Sequence, residues 1–147
     1  MQNFEFNSLN IVSLNVRGLR DLTKRKALFL FCKHTEADLI FLQETHSGES
    51  DCKFWKSQCG NSVFFDHGTN HSAGVMILLH KFRGDIIESI TSSEGRWLIL
   101  IVNVDNACFL LCNIYGHNSH NSNRIFFSDL ISKVIELQNK YTNDFSR

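Results

Sequence analysis

Three polar side chains stand where predicted apolar strands stop: Asn15, Glu44 and Tyr115. In an open α/β sheet the carboxyl ends of strands face the crevice where ligands bind. A carboxylate there is a hard oxygen ligand of the kind Mg²⁺ takes, alongside waters and phosphate oxygens. Asn15 can orient that carboxylate or a phosphate oxygen without adding charge, and Tyr115 offers a hydroxyl donor. A single glutamate at a strand end is ordinarily only solvated. Three polar groups at three strand ends, each behind an apolar run, favour a site.

The elements that must position them are legible from periodicity. Ile11, Ser13 and Asn15 alternate with Val12, Leu14 and Val16, predicting a buried strand that ends at Arg17-Gly18. Asp21 or Thr23 can cap a helix running through Leu28, Phe31 and Cys32 to about His34. Asp38–Gln43 is short and almost continuously apolar, as in a central strand covered on both faces. Strand, helix, strand at this spacing is a βαβ unit with parallel neighbours. Asn61–Phe65, Ala73–His80, Asp85–Ser89, Trp97–Val104 and Ala107–Asn113 then read as successive strands, the last two joined by a tight Asp105-Asn106 turn. Asn121 or Ser122 opens an amphipathic helix carrying Phe127, Leu130, Val134, Leu137 and Tyr141 at helical spacing.

Composition bounds the class. The 147 residues are 43% hydrophobic and 20% charged, which is globular and not disordered. No apolar run approaches the roughly 18 residues of a membrane span, so no membrane partner is expected. Met1 to Asn10 carries no basic residue and no apolar core, which argues against a secretory signal. Five cysteines, Cys32, Cys52, Cys59, Cys108 and Cys112, form an odd set without metal-knuckle spacing. They read as buried thiols in a reducing, intracellular compartment, nuclear or cytoplasmic and not secreted. Fifteen Lys and Arg balance fifteen Asp and Glu, so bulk charge is silent on nucleic acid. A local basic cluster of Arg17, Arg20, Lys24, Arg25 and Lys26 reads as the solvated start of a helix or as a phosphate-facing patch. His67 with His71, and His117 with His120, have ligand-like gaps but fall in Gly-, Asn- and Ser-rich loops unsuited to zinc.

The motifs Asn15-Val16-Arg17-Gly18-Leu19 and Gln43-Glu44-Thr45-His46 resemble those of the endonuclease/exonuclease/phosphatase (DNase I-like) superfamily. Ser72-Ala73-Gly74-Val75, Gly95-Arg96-Trp97 and Asn113-Ile114-Tyr115-Gly116 tilt the resemblance toward the endonuclease domain of LINE-type (non-LTR) retrotransposons. The likeness runs from about Asn10 to Tyr141. It implies an α/β (α+β) chain forming the N-terminal half of a four-layer α/β/β/α sandwich, with a mixed sheet and two main helices. Residues 1–9 would be an extension and residues 10–147 a partial domain. It further implies Mg²⁺ or Mn²⁺ beside Asn15, with Glu44 as principal ligand and Tyr115 against the scissile phosphate. Arg17, Thr45 and His46 would lie near the DNA backbone. The activity implied is endonucleolytic nicking of DNA for retrotransposition. The partners implied are DNA and the remainder of a longer polyprotein with reverse transcriptase.

Departures from the family pattern set the remaining expectations. Gly116-His117-Asn118 stands where Ala-Pro-Asn is common, and Ala37 where proline is common. The Gly-Asp-Phe-Asn strand, a second Asp and a terminal Asp-His pair are not in the sequence, and Asn143-Asp144-Phe145 is no displaced copy. This polypeptide is therefore expected to be an inactive fragment. Alternatives are a phosphatase or phosphoesterase of the same superfamily, or a catalytically dead nucleic-acid-binding remnant. If the chain supplied mainly one sheet, inner residues of Ala73–His80 and Trp97–Val104 would lack partners and leave a large apolar patch.

Overall fold

The computed structural model describes residues 8–144; most of the predicted 1–9 extension and Phe145 lie outside them. Strand β1 (Ile11–Asn15) runs parallel to β2 (Leu39–Gln43), with Asn15 opposite Gln43. Helix α1 (Leu22–His34) connects them. Its N-cap is Asp21, whose carboxylate accepts the Lys24 N–H at 2.7 Å, satisfying one of the orphan donors of the first turn. The helix stops at Thr35, whose N–H and hydroxyl both turn back to the Cys32 carbonyl at 3.3 and 3.0 Å.

Two further strands complete the first sheet. β4 (Val75–Leu79) pairs antiparallel with both β2 and β3 (Ser62–Asp66), giving the order β1-β2-β4-β3. The second sheet is an antiparallel run of β5 (Asp85–Thr91), β6 (Trp97–Val104) and β7 (Ala107–Ile114). Asp105 and Asn106 turn the β6–β7 hairpin with φ of 51° and 65°, the double left-handed conformation that Asn and Asp tolerate best among residues with a side chain.

The period of two along β2 and β4 divides the core. Ile40, Leu42, Met76 and Leu78 join Phe29 and Cys32 of α1 and Trp55 and Cys59 on one face. Leu39, Phe41, Val75 and Ile77 meet Leu98, Leu100 and Val102 of the second sheet on the other. Each such side chain, fully withdrawn from water, contributes roughly 1.5–3 kcal/mol. Strands of two packed sheets are present, so the condition for uncovered inner residues is not met: Val75–Leu78 and Leu98–Val102 are buried.

One expectation needs correction. β1 is not buried on both faces; Ile11, Ser13 and Asn15 are exposed because β1 lies at a sheet edge. Besides the two main helices expected, the described residues hold a short third one. A 3-10 turn (Glu49–Asp51) leads into α2 (Cys52–Cys59), which Gly60 ends in the left-handed conformation at φ 72°. Its two turns bury Trp55 and Cys59, one above the other at i and i+4.

Residues up to Tyr115 form one compact unit and those from Gly116 a second. In the second, α3 (His120–Asp144) is preceded by a loop that Asn123 pins. Its side chain accepts the His117 N–H at 2.7 Å and donates to the His117 carbonyl at 2.6 Å. The His117 ring meets Phe126 edge-on. No helix among the described residues is long and apolar enough to cross a membrane.

Candidate active site

The loops leaving β1 and β2 are laced to each other. Val16 N–H donates to the Gln43 carbonyl, Gly18 N–H to Glu44 and Leu19 N–H to Thr45, at 2.9, 2.6 and 3.0 Å. On the far side Thr45 N–H reaches the Gly74 carbonyl at 3.0 Å and His46 N–H the Ala73 carbonyl at 2.9 Å. This lacing holds Arg17, Glu44, His46 and Ala73 at φ between 48° and 57°. Such left-handed backbone costs an L-residue roughly 1–2 kcal/mol and clusters where a chain must aim side chains for a task. Gly18 sits at φ 85°, where an added Cβ would fall 2.7 Å from His46 Nδ1.

At this edge Asn15, Glu44 and Tyr115 come together. Asn15 Nδ2 donates to Glu44 Oε1 at 3.1 Å, and the Asn15 carbonyl oxygen accepts the Arg17 N–H at 3.1 Å. Asn15 is thus fixed at both ends and orients the carboxylate. The Tyr115 hydroxyl stands beside Glu44 and favours its ionised form. The Asn15 amide, followed by the Tyr115 hydroxyl, holds the Glu44 carboxyl below its usual range, against a smaller opposing effect of burial. Burial and the neighbouring Glu44 carboxylate raise the Tyr115 phenol, which therefore stays protonated and a donor at neutral pH. His46 Nε2 lies 3.9 Å from Glu44 Oε2, and Arg17 adds positive charge nearby.

Other expected contacts fall elsewhere. Thr45 is fully buried; its hydroxyl donates to Ser47 Oγ at 3.1 Å, and Ser47 Oγ meets His67 Nδ1 at 3.0 Å. Thr45 therefore holds the loop and does not face a ligand. Much of the basic cluster is also structural. Arg25 is buried, donating to the Leu19 and Arg20 carbonyls and to Gln58, with Phe54 and Trp55 beside its guanidinium. Arg20 pairs with Asp51 at 2.7 Å, and Lys24 donates to the Arg17 carbonyl.

Two polar groups supporting the site were not singled out from sequence. Asn113 donates to the Leu42 and Met76 carbonyls at 3.1 and 2.9 Å and accepts from Gln43 Nε2 at 2.7 Å, so it joins the second sheet to the first directly behind Glu44. Asp66 ends β3 and is buried. Asp66 carries the same signal that marked Glu44, a carboxylate behind an apolar strand.

The fold has counterparts. A structure of TDP2 from D. rerio complexed with single strand DNA product superposes with a TM-score of 0.62 at 22% identity, over 87% of this chain and 54% of that one. The endonuclease domain of TRAS1, a telomere-specific non-LTR retrotransposon, superposes with a TM-score of 0.54 at 10% identity, over 89% and 54%. The chain has the DNase I-like fold. In sequence, it is 28% identical over 124 residues to the uncharacterized 149 kDa protein of transposon TX1 from Xenopus laevis, covering 84% of this chain and 10% of that protein. No protein-family model matches. The chain spans about half the length of these DNase I-like structures and a tenth of the transposon protein.

Proposed function

We propose that this chain supplies the Asn15–Glu44–Tyr115 part of a divalent-metal-dependent phosphodiesterase site acting on DNA, within a retroelement protein that also carries reverse transcriptase. The observation that carries the reading is the convergence of the Asn15 amide and the Tyr115 hydroxyl on one ionised carboxylate. A single oriented carboxylate suits Mg²⁺ or Mn²⁺, which bind through one or two carboxylates and keep water and phosphate oxygens. Glu44 would hold the ion, with Asn15 orienting it. When bound, the ion would neutralise charge on the phosphate and on the leaving oxygen.

The chain's own residues do the rest. The Tyr115 hydroxyl is a donor at the edge where a phosphate oxygen would sit. Arg17 and His46 place positive charge or N–H donors beside it, suited to a DNA backbone. The transposon setting of the TX1 and TRAS1 relatives supports DNA as substrate.

The test is fluorescence anisotropy with a labelled DNA duplex, with and without Mg²⁺ or Mn²⁺, across a salt series. The expected result is binding that weakens with salt and gains from the divalent ion in the native chain but not in Glu44→Gln. Hydrolysis of a small phosphomonoester without any salt-dependent DNA affinity would favour a phosphatase instead.

A further inference from the structure

Asp66 belongs to the first sheet, yet its bonds leave it. Its Oδ2 accepts the Gly95 N–H at 3.0 Å and the Arg96 N–H at 3.2 Å, and also takes the Ser92 hydroxyl. Ser92 Oγ in turn accepts from Glu94 N–H and Arg96 N–H, both at 3.1 Å, and from Trp97 N–H at 3.4 Å. The whole corner between β5 and β6 thus closes on one buried carboxylate. Nothing larger than glycine fits at its apex. Gly95 has φ 72°, and a Cβ there would come within 2.6 Å of Gly74 N and 2.8 Å of His67 O.

That corner holds Tyr115. The Arg96 carbonyl accepts the Tyr115 N–H at 2.7 Å, and the Arg96 guanidinium lies 5.0 Å over the Tyr115 ring. Gly95 reaches the same edge from the other side, its carbonyl accepting the Gly74 N–H at 3.0 Å; Gly74 and Ala73 carry the Thr45 and His46 N–H bonds. A path of direct contacts therefore runs from Asp66 through Gly95-Arg96 to Tyr115, whose phenol stands beside Glu44.

We propose that Asp66 is a positioning residue for the proposed phosphodiesterase edge, fixing the Gly95-Arg96 corner that sets the Tyr115 phenol on Glu44. It acts through Arg96 and touches no reacting group. A carboxylate suits the post because hydrogen bonds to an ionised acceptor are about twice as strong as neutral ones and one oxygen can gather several N–H groups. The inference rests on the reading that Tyr115 belongs to the reacting edge, but its test needs no activity.

The sequence has two tyrosines, Tyr115 and Tyr141, so ring-¹³C-labelled tyrosine gives two sets of NMR signals, assigned with Tyr115→Phe. In Asp66→Ala the Tyr115 set should move to the position of an unstructured tyrosine while the Tyr141 set stays. Exchange of the Tyr115 amide should accelerate about tenfold beyond any change at core amides such as Leu42, the scale of one lost charge-assisted bond. Asp66→Asn keeps an acceptor oxygen and should restore most of both; if Asp66→Ala does not fold, Asp66→Asn still predicts a smaller acceleration confined to residues 92–97 and 115. A folded Asp66→Ala with unchanged Tyr115 signals and amide exchange would overturn the proposal. So would Asp66→Asn changes spread evenly over the core. A chain that binds no divalent ion would defeat the functional reading while leaving this positioning result standing.

Discussion

Removing Asn113 should loosen the two sheets from each other at the point nearest the site. Asn113 is 1% exposed and makes three bonds, to Leu42, Met76 and Gln43, at 2.7–3.1 Å. A buried hydrogen bond contributes about 0.5–1.5 kcal/mol net, so Asn113→Ala should cost roughly 2–4 kcal/mol. For a chain of this size each kcal/mol lowers Tm by about 2–4 °C, giving a fall of roughly 5–15 °C. Asn113→Asp should be worse. The carboxylate still fits Gln43 but turns an oxygen on the Leu42 and Met76 carbonyls, and an unpaired buried charge costs about 3–5 kcal/mol. Urea and thermal unfolding at pH 7, followed by circular dichroism, measure both. The reasoning fails if Asn113→Asp is as stable as the native chain, or more stable than Asn113→Ala.

Three further outcomes are expected. Because the folded Glu44 carboxyl is depressed, its stabilisation is complete above the unfolded value of about 4.3 and fades as pH falls through the folded value. The stability gap between the native chain and Glu44→Gln should be flat from pH 7 to about 5 and close below about 4, as urea unfolding at each pH would show. Gly95→Ala adds a left-handed penalty of roughly 1–2 kcal/mol to a clash with backbone atoms at 2.6–2.8 Å, so its melting temperature should fall further than that of Gly60→Ala, where nothing lies within 4 Å. Burial raises the Cys32 and Cys112 thiols to about 11, so a thiol reagent at pH 8 should modify half-buried Cys52 and Cys108 first, Cys112 more slowly, and buried Cys32 and Cys59 only on unfolding. Mass spectrometry of the labelled peptides reads the order.

The core strands were legible because period and length are local properties. The continuous apolar run of β2 needs cover on both faces wherever it lies, and both hydrophobic clusters draw on it. The Asp105-Asn106 turn was legible for the same reason. Helix α2 was not: two turns between Glu49 and Gly60 leave one buried pair, Trp55 and Cys59, too few for a period to show. That omission propagated. Arg25 reads as solvated or DNA-facing until Phe54, Trp55 and Gln58 of α2 stand beside it. Thr45 shared a motif with Glu44 and was assigned to the same surface. Its neighbours Ser47 and Gly74 bury it, because the lacing at Thr45 and His46 turns successive side chains to different sides. Asn15, Glu44 and Tyr115 were legible together because each stands at the end of a strand, and the packing of the two sheets brings those ends to one edge.

Divalent-ion binding read directly at Glu44 tests the account most closely. Mn²⁺ electron paramagnetic resonance, supported by calorimetry with Mg²⁺, would count ions bound to the native chain and to Glu44→Gln, with Asn15→Ala as the orienting control. Glu44 as the ligand predicts one bound ion in the native chain, weaker binding in Asn15→Ala and none in Glu44→Gln. Equal binding by the native chain and a folded Glu44→Gln would contradict it.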